Sequence, residues 1–269
     1  MTGTNPIPFI QAKNVWKSYG DNQVLEQLCV SVEQGDFITM VGASGCGKST
    51  FLNMLLGMVK ATKGELLIDG KPIDSEPGPD RGIVFQRYSV FPHLTVLQNV
   101  EIAAELVSKR VSSRLLGRVF SKEKAAIKNE ALKLIESVGL THAVKKYPHE
   151  LSGGMQQRLA IAQALMKAPK VLLLDEPFGA LDPGIRADMH KLIKRIWQEK
   201  KLTIFMVTHD IKEGFELGSR LWVFDKLRFD EQAPTAYGAQ ITYDLPLKHP
   251  ESREAISEIN IKLQTVKEE

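Results

Sequence analysis

Phe37-Ile38-Thr39-Met40-Val41 runs directly into Gly42-Ala43-Ser44-Gly45-Cys46-Gly47-Lys48-Ser49-Thr50, and this junction decides the fold. An apolar strand enters a glycine loop, and the spacing predicts a helix from about Lys48. Glycines let the backbone turn tightly enough for successive N–H groups to face one small anion. The helix behind them adds its positive end. The pattern is G-x-x-x-x-G-K-S with an extra glycine at Gly45. Lys48 is suited to reach the β- and γ-phosphates, and the Ser49 hydroxyl to ligate Mg²⁺. A plain glycine turn is the alternative, but the spacing and both flanks weigh against it. The chain is expected to bind a nucleoside triphosphate.

Composition narrows the setting. With 269 residues, 43% hydrophobic and 25% charged, the chain has the make-up of a globular protein with length for a substantial core. A net charge of +3 is too small to argue for nucleic acid. The two cysteines, Cys29 and Cys46, form no CxxC pair, so neither a zinc site nor a disulfide framework is suggested, and a reducing interior is expected. Residues 1–8 lack a signal-peptide core. No apolar run approaches the roughly 20 residues that cross a bilayer, so any membrane connection is expected through a partner.

Taken in order, residues 9–34 read as short strands with turns, an antiparallel β layer ahead of the phosphate-loop strand. Tyr19 falls in the turn Ser18-Tyr19-Gly20-Asp21-Asn22, where it can stack on a base or simply pack the turn; position alone leaves both open. After the loop, Phe51, Leu52, Leu55, Leu56 and Val59 predict a helix ending near Lys60. A strand at 65–68 follows. Gly82-Ile83-Val84-Phe85 is a short buried strand that delivers Gln86, a neutral side chain able to hydrogen-bond a metal-bound water.

Residues 88–168 read as a mostly helical segment, with Thr95 capping one helix and Ser121 another that closes at Gly139. Between them Lys109, Arg110, Arg114, Arg118, Lys122, Lys124 and Lys128 oppose one acid, Glu123. Such a run is either a solvated face or a contact for lipid or protein. Leu151-Ser152-Gly153-Gly154-Met155-Gln156-Gln157-Arg158 then opens a helix. Ser152 is a good N-cap, and the glycine pair exposes N–H groups, so this is either a simple capped helix or a second anion-binding terminus.

Val171-Leu172-Leu173-Leu174-Asp175-Glu176 is a buried strand ending in two carboxylates. Consecutive strand residues point opposite ways, so the two acids are expected to do different work. Asp175 suits the water shell of a metal held from behind Ser49, and Glu176 suits polarising an attacking water. Leu181-Asp182-Pro183 turns into another helix. Residues 203–207 form the next buried strand, with Thr208-His209-Asp210 at its tip. A lone histidine is often structural, but at a strand end in such a sheet it faces the nucleotide crevice. Residues 221–224 read as a last strand, 225–247 as loop-rich, and 252–266 as a polar surface helix.

Together these elements resemble the ATPase subunit of ATP-binding-cassette (ABC) transporters across residues 9–225. Tyr19 is similar to the family's adenine-stacking aromatic, residues 42–50 to the Walker A loop, and Gln86 to the Q-loop glutamine. Residues 151–156 resemble the signature motif, residues 171–176 the Walker B strand with its catalytic glutamate, residues 180–182 the D-loop, and His209 the switch histidine. The wording around 77–86 and 91–96 resembles the nitrate/sulfonate/taurine importer group. Met155 and Gln163 depart from the commonest forms of the motif, and the basic stretch lengthens the helical segment.

The resemblance implies an α/β fold, a P-loop NTPase (RecA-like) core with an N-terminal antiparallel β layer and an inserted helical subdomain. It implies one nucleotide-binding domain, with core segments 1–87 and 169–226, a helical subdomain at 88–168 and a tail at 227–269. Glu176, His209 and Gln86 would be catalytic, and Ser49, Gln86 and Asp175 would serve Mg²⁺. ATP would lie between Tyr19 and Gly42, Ala43, Ser44, Gly45, Cys46, Gly47, Lys48, Ser49 and Thr50 of one subunit and Ser152, Gly153 and Gly154 of a second. Asp182 would signal across that interface. The implied protein is a transport-coupled ATPase, a homodimer at the cytoplasmic face of the membrane. It would be held there by a permease and fed by a solute-binding protein, without nucleic acid. Groove contacts with the permease would lie near 88–97. An exporter or lipid-transport ATPase is the rival within the fold. A chromosome ATPase would need long coiled-coil arms or a second cassette, and the signature motif and His209 disfavour a P-loop kinase.

Overall fold

The computed structural model describes residues 8–73, 76–86, 89–108, 117–228 and 230–247, with backbone alone at 105–108 and 117–123. In chain order, the first elements are β1 (Ile10–Tyr19), β2 (Asn22–Val32), β3 (Phe37–Gly42), α1 (Lys48–Leu56), β4 (Lys63–Ile68), β5 (Lys71–Pro72) and β6 (Arg81–Val84). Helices α2 (Val96–Ser108), α3 (Gly117–Ser137) and α4 (Gly153–Leu165) come next, then β7 (Val171–Asp175) and α5 (Pro183–Lys200). β8 (Thr203–Val207), α6 (Ile211–Leu217), β9 (Arg220–Asp225) and β10 (Gln240–Pro246) complete the series. The chain divides into two units, residues 1–78 with 197–269, and residues 79–196.

In the first unit β1 and β2 form one long antiparallel hairpin rather than the several short strands expected. β4 pairs with the other edge of β1, giving the order β2-β1-β4-β5. β3 lies between β8 and β9, parallel to both. Phe37, Ile38, Met40 and Val41 are all buried, as a strand covered on two faces requires. Phe51 of α1 packs its ring against Trp222 and Phe224 of β9, each at 6.0 Å between centroids. The Trp197 indole donates to the Gly35 carbonyl at 2.8 Å and meets Phe37 edge-on.

Two further expectations in this unit are corrected. α1 stops at Leu56, because Gly57 adopts φ +92° and the N–H groups of Gly57 and Met58 close back on Met54 and Asn53. β9 is not the last strand: β10 pairs with it antiparallel within the stretch expected to be loop. Tyr243, Leu245 and Leu247 cover Val41, Leu221 and Val223, and Arg220 of β9 hydrogen-bonds the Asp244 carboxylate with two of its nitrogens.

In the second unit β6 and β7 are parallel neighbours, and α4 packs on β6. The α2 start expected at Thr95 is a reciprocal cap: the Thr95 backbone donates to Gln98 Oε1 and the Gln98 backbone to Thr95 Oγ1. α3 begins at Gly117, so Ser121 lies inside it rather than ahead of it. Its far end turns at Gly139, φ +75°, as expected. Tyr88 and the basic residues Lys109, Arg110 and Arg114 fall outside the described residues, as does the helix expected at 252–266. Lys124 and Lys128 are exposed on α3.

Candidate nucleotide site

The phosphate loop is shaped by what stands behind it. Gly42 has φ +145°, and a Cβ there would lie 2.2 Å from the Phe224 carbonyl oxygen of β9. Gly47 has φ +90°, and a Cβ there would lie 2.5 Å from Leu25 Cδ2 of β2. Both conditions admit only glycine. β9 and β2 therefore press the loop from two sides, while Ala43, Ser44 and Gly45 form its exposed tip. The N-terminus of α1 carries no side-chain cap, in contrast to α4, capped by Ser152, and α6, capped by Asp210. An uncapped helix start of nine residues behind a glycine loop is suited to an anion.

Lys48 is only 5% exposed and turns back into its own loop, donating to the carbonyls of Gly42 and Ala43 at 2.8 Å each. Its ammonium also lies 3.5 Å from Cys46 Sγ. Burial raises the Cys46 thiol above its ordinary pKa, outweighing the nearby Lys48 charge that pulls it down. Cys46 is therefore a protonated thiol at neutral pH and a wall of the loop rather than a nucleophile.

Two further candidates share this unit. Tyr19 is 50% exposed at the hairpin turn, with the Lys17 ammonium 4.6 Å from its ring centre. His209 is exposed between two fixed neighbours. The Thr208 backbone donates to Met40, its hydroxyl to the buried Glu213, and Asp210 caps α6 through the N–H groups of Lys212 and Glu213. The histidine's backbone is thus held on both sides while its ring remains presented.

In the second unit Asp175 is the final residue of β7, and Glu176 follows it with φ +48°. A non-glycine residue in that region is strained, and here the turn re-aims the second carboxylate. Gln86, just beyond β6, donates through Nε2 to Glu176 Oε2 at 3.0 Å. The parallel pairing of β6 with β7 brings these two strand ends together.

Ser152 caps α4 by accepting from the Met155 N–H at 3.4 Å. Gly154 is buried, and a Cβ there would stand 2.5 Å from Ile185 Cγ2 of α5. Asp182 is exposed and leads into Pro183, the first residue of α5. One organising residue escapes a motif reading: Asn99, fully buried near the start of α2. Its amide donates to the carbonyls of Phe91 and Leu94 and accepts from the Phe91 N–H, fixing the loop after Gln86. A polar residue among apolar helix positions was the only signal for it.

Residues 25–179 match the family model described as ABC transporter. A bicarbonate transport ATP-binding protein of Synechocystis sp. is 40% identical, over 93% of this chain and 83% of its own. An aliphatic sulfonates import ATP-binding protein of Bacillus anthracis is 43% identical, over 78% and 77%. A dimeric ATP-binding cassette solved in a post-hydrolysis state with ADP and Pi superposes with a TM-score of 0.68 at 29% identity, covering 89% of this chain and 99% of that one. The fold is that of a P-loop ATPase cassette, and the chain belongs to the ABC transporter family.

Proposed function

We infer that this chain is the ATP-hydrolysing subunit of an importer, driving uptake of a small anionic solute through a separate permease. The observation that carries hydrolysis is the Gln86–Glu176 pair: a carboxylate on a strained turn, held by a neutral donor. The names of the two relatives, for bicarbonate transport and sulfonate import, favour uptake and a small anion. The dimeric state of the solved cassette supports two copies working together.

In this reading the loop N–H groups and Lys48 bind the phosphates of ATP. Lys48 leaves the carbonyls of Gly42 and Ala43 to do so. Tyr19 stacks on the base, with Lys17 against its ring. Glu176 takes a proton from the attacking water while Gln86 keeps the carboxylate aimed, and His209 donates to the γ-phosphate. Ser152, Gly153 and Gly154 of a second copy complete the phosphate cage, and Asp182 reports closure across the dimer.

Among the described residues no group of three or more His, Cys, Asp or Glu gathers to hold a metal by itself. A hydroxyl at Ser49, a carboxylate at Asp175 and an amide at Gln86 instead suit Mg²⁺, which keeps waters and takes most of its remaining ligands from substrate phosphates. Bound there, the ion would offset charge on the β- and γ-oxygens. No helix among the described residues is long and apolar enough to cross a membrane. By analogy with the relatives' transport roles, a permease would hold the chain at the membrane's cytoplasmic face, with a solute-binding protein upstream.

Glu176→Gln tests the reading. It should retain ATP binding, lose turnover by at least about a hundredfold, and accumulate an ATP-dependent dimer on size exclusion. Undiminished hydrolysis would remove Glu176 from its role. Co-purification with a multi-helix permease encoded beside it checks the transport half.

A further inference from the structure

The phosphate loop has two walls, the Phe224 carbonyl at Gly42 and the Leu25 side chain at Gly47. Leu25 belongs to β2, an edge strand of its sheet, yet the strand's free edge is taken by chain returning from β9. Ala239 bridges Leu25 in parallel: its N–H donates to the Val24 carbonyl at 2.9 Å, and its carbonyl accepts from the Glu26 N–H at 2.9 Å. The Gln23 N–H donates to the Thr235 carbonyl, also at 2.9 Å. Gly238 permits this approach, since a Cβ there would lie 2.8 Å from the Leu25 carbonyl carbon and 2.9 Å from the Glu26 nitrogen. The connection from Asp225 to Ala239 therefore leaves one wall of the phosphate loop and ends on the other.

A buried carboxylate locks that connection. Glu26 is only 3% exposed, where a carboxylate without partners would be costly. Its Oε2 accepts from the Gly238 N–H at 3.2 Å, and its Oε1 accepts from Arg228 Nη2. The Arg228 guanidinium also covers the Tyr237 ring, 4.3 Å from its centre. Arg228 is half exposed, so the charge pair ties surface chain to the strand residue next to Leu25.

We propose that Glu26 and Arg228 are positioning residues for nucleotide binding, holding Leu25 against Gly47 so that the loop N–H groups keep their aim at the phosphates. They act through Leu25 and the returning chain, not by contact with ATP. The proposal rests on residues 42–50 holding the phosphates, as inferred above.

Arg228→Ala removes the cation from a half-exposed position and leaves the Glu26 carboxylate with the Gly238 N–H alone. The dissociation constant for ATP and the KM should each rise at least about fivefold with kcat held within about twofold, the pattern of lost binding rather than lost chemistry. Cys46 lies inside the loop and reports on it directly. Its alkylation in nucleotide-free buffer, read by mass spectrometry, should quicken at least about fivefold while labelling of Cys29 is unchanged. Both are measured well below the melting midpoint, which should itself fall because a buried pair is broken. A lower midpoint with unchanged ATP affinity and unchanged Cys46 labelling would make the pair a structural tie only and overturn the proposal. A fall in kcat with KM unchanged would overturn it equally. Should Arg228→Ala not fold, Glu26→Gln keeps an acceptor for Gly238 without the charge, and must move affinity and labelling in the same direction. A wild-type chain that fails to bind ATP would strike the nucleotide reading and this role together. Wild-type binding that Arg228→Ala leaves unaltered strikes this role alone.

Discussion

The Gln86 amide donates to the Glu176 carboxylate at 3.0 Å, while Glu176 itself is held at φ +48°. The strained backbone sets where the carboxylate begins, and the amide holds one of its two oxygens. Gln86 adds this control without adding charge. Gln86→Ala should therefore lower kcat by about ten- to a hundredfold, a part of what a general base contributes, and leave ATP affinity little changed. Steady-state hydrolysis alongside fluorescent-nucleotide binding separates the two effects. Equal losses in both would make Gln86 a binding residue instead.

Lys48 holds its own loop and, in the proposed function, also binds phosphate, and one variant can expose both. Its ammonium satisfies the carbonyls of Gly42 and Ala43 from a nearly buried position. Lys48→Ala should lose nucleotide binding and also destabilise the empty protein by about 1.5–3 kcal/mol, the scale of charge-assisted hydrogen bonds. Chemical denaturation without ATP is the decisive measurement. An unchanged midpoint would mean that the loop carbonyls need no internal partner.

Much of this site was legible in the sequence because its constraints are local. The five residues of β8 were bounded as they stand, since an apolar run between polar ends leaves little choice. The loop's glycines announced a backbone that other residues cannot adopt, and Gly42 and Gly47 bear this out. What stayed hidden depends on partners far away in the chain. Residues 240–246 alternate Ile241, Tyr243 and Leu245 with polar neighbours, yet they become a strand only because β9 offers an edge and Arg220 a charge for Asp244.

The Cys46 thiol gives a pH-dependent readout. Its folded pKa is raised, chiefly by burial, so its thiolate fraction at a given alkaline pH is smaller than that of an ordinary thiol. Cys29 is exposed. Alkylation followed by mass spectrometry should label Cys29 first, with Cys46 labelling lagging to higher pH. The linkage sign follows: the unfolded chain releases this proton first as pH rises, so Cys46 contributes a loss of stability beginning at the ordinary thiol range, about 8.5, and ending at its higher folded value. Cys46→Ser should flatten that alkaline decline. Rapid labelling of Cys46 at pH 7 would contradict the buried, protonated thiol.

Gly154 tests contact rather than backbone freedom. Its φ is not in the left-handed region, so Gly154→Ala meets only the Ile185 side chain, 2.5 Å from the new methyl. Overpacking of this kind costs about 1–3 kcal/mol and should lower the melting midpoint. Ile185→Ala opens the space, so the double variant should recover much of the loss relative to Ile185→Ala alone. Additive penalties would show that the two residues are not in contact.

The strand that the sequence concealed should be structurally indispensable. β10 lays Tyr243 and Leu245 over Leu221 and Val223 and gives β9 its antiparallel neighbour. Arg220 is fixed there as well. Burial works to lower its pKa, but hydrogen bonds and charge from Asp244, with Asp36 and Glu33, hold it above the ordinary value. It remains a cation at every pH where the fold survives, donating to the Ser31 carbonyl as well as to Asp244. Truncation after Asp225 should therefore expose the apolar edge of β9 and give insoluble protein. Asp244→Asn should remain soluble, because it keeps the strand and one acceptor, at a cost of about 1–3 kcal/mol from the lost charge-assisted bonds. A soluble, active truncation with wild-type melting would show that β9 is stable as an edge, and that the residues beyond it are dispensable to the cassette.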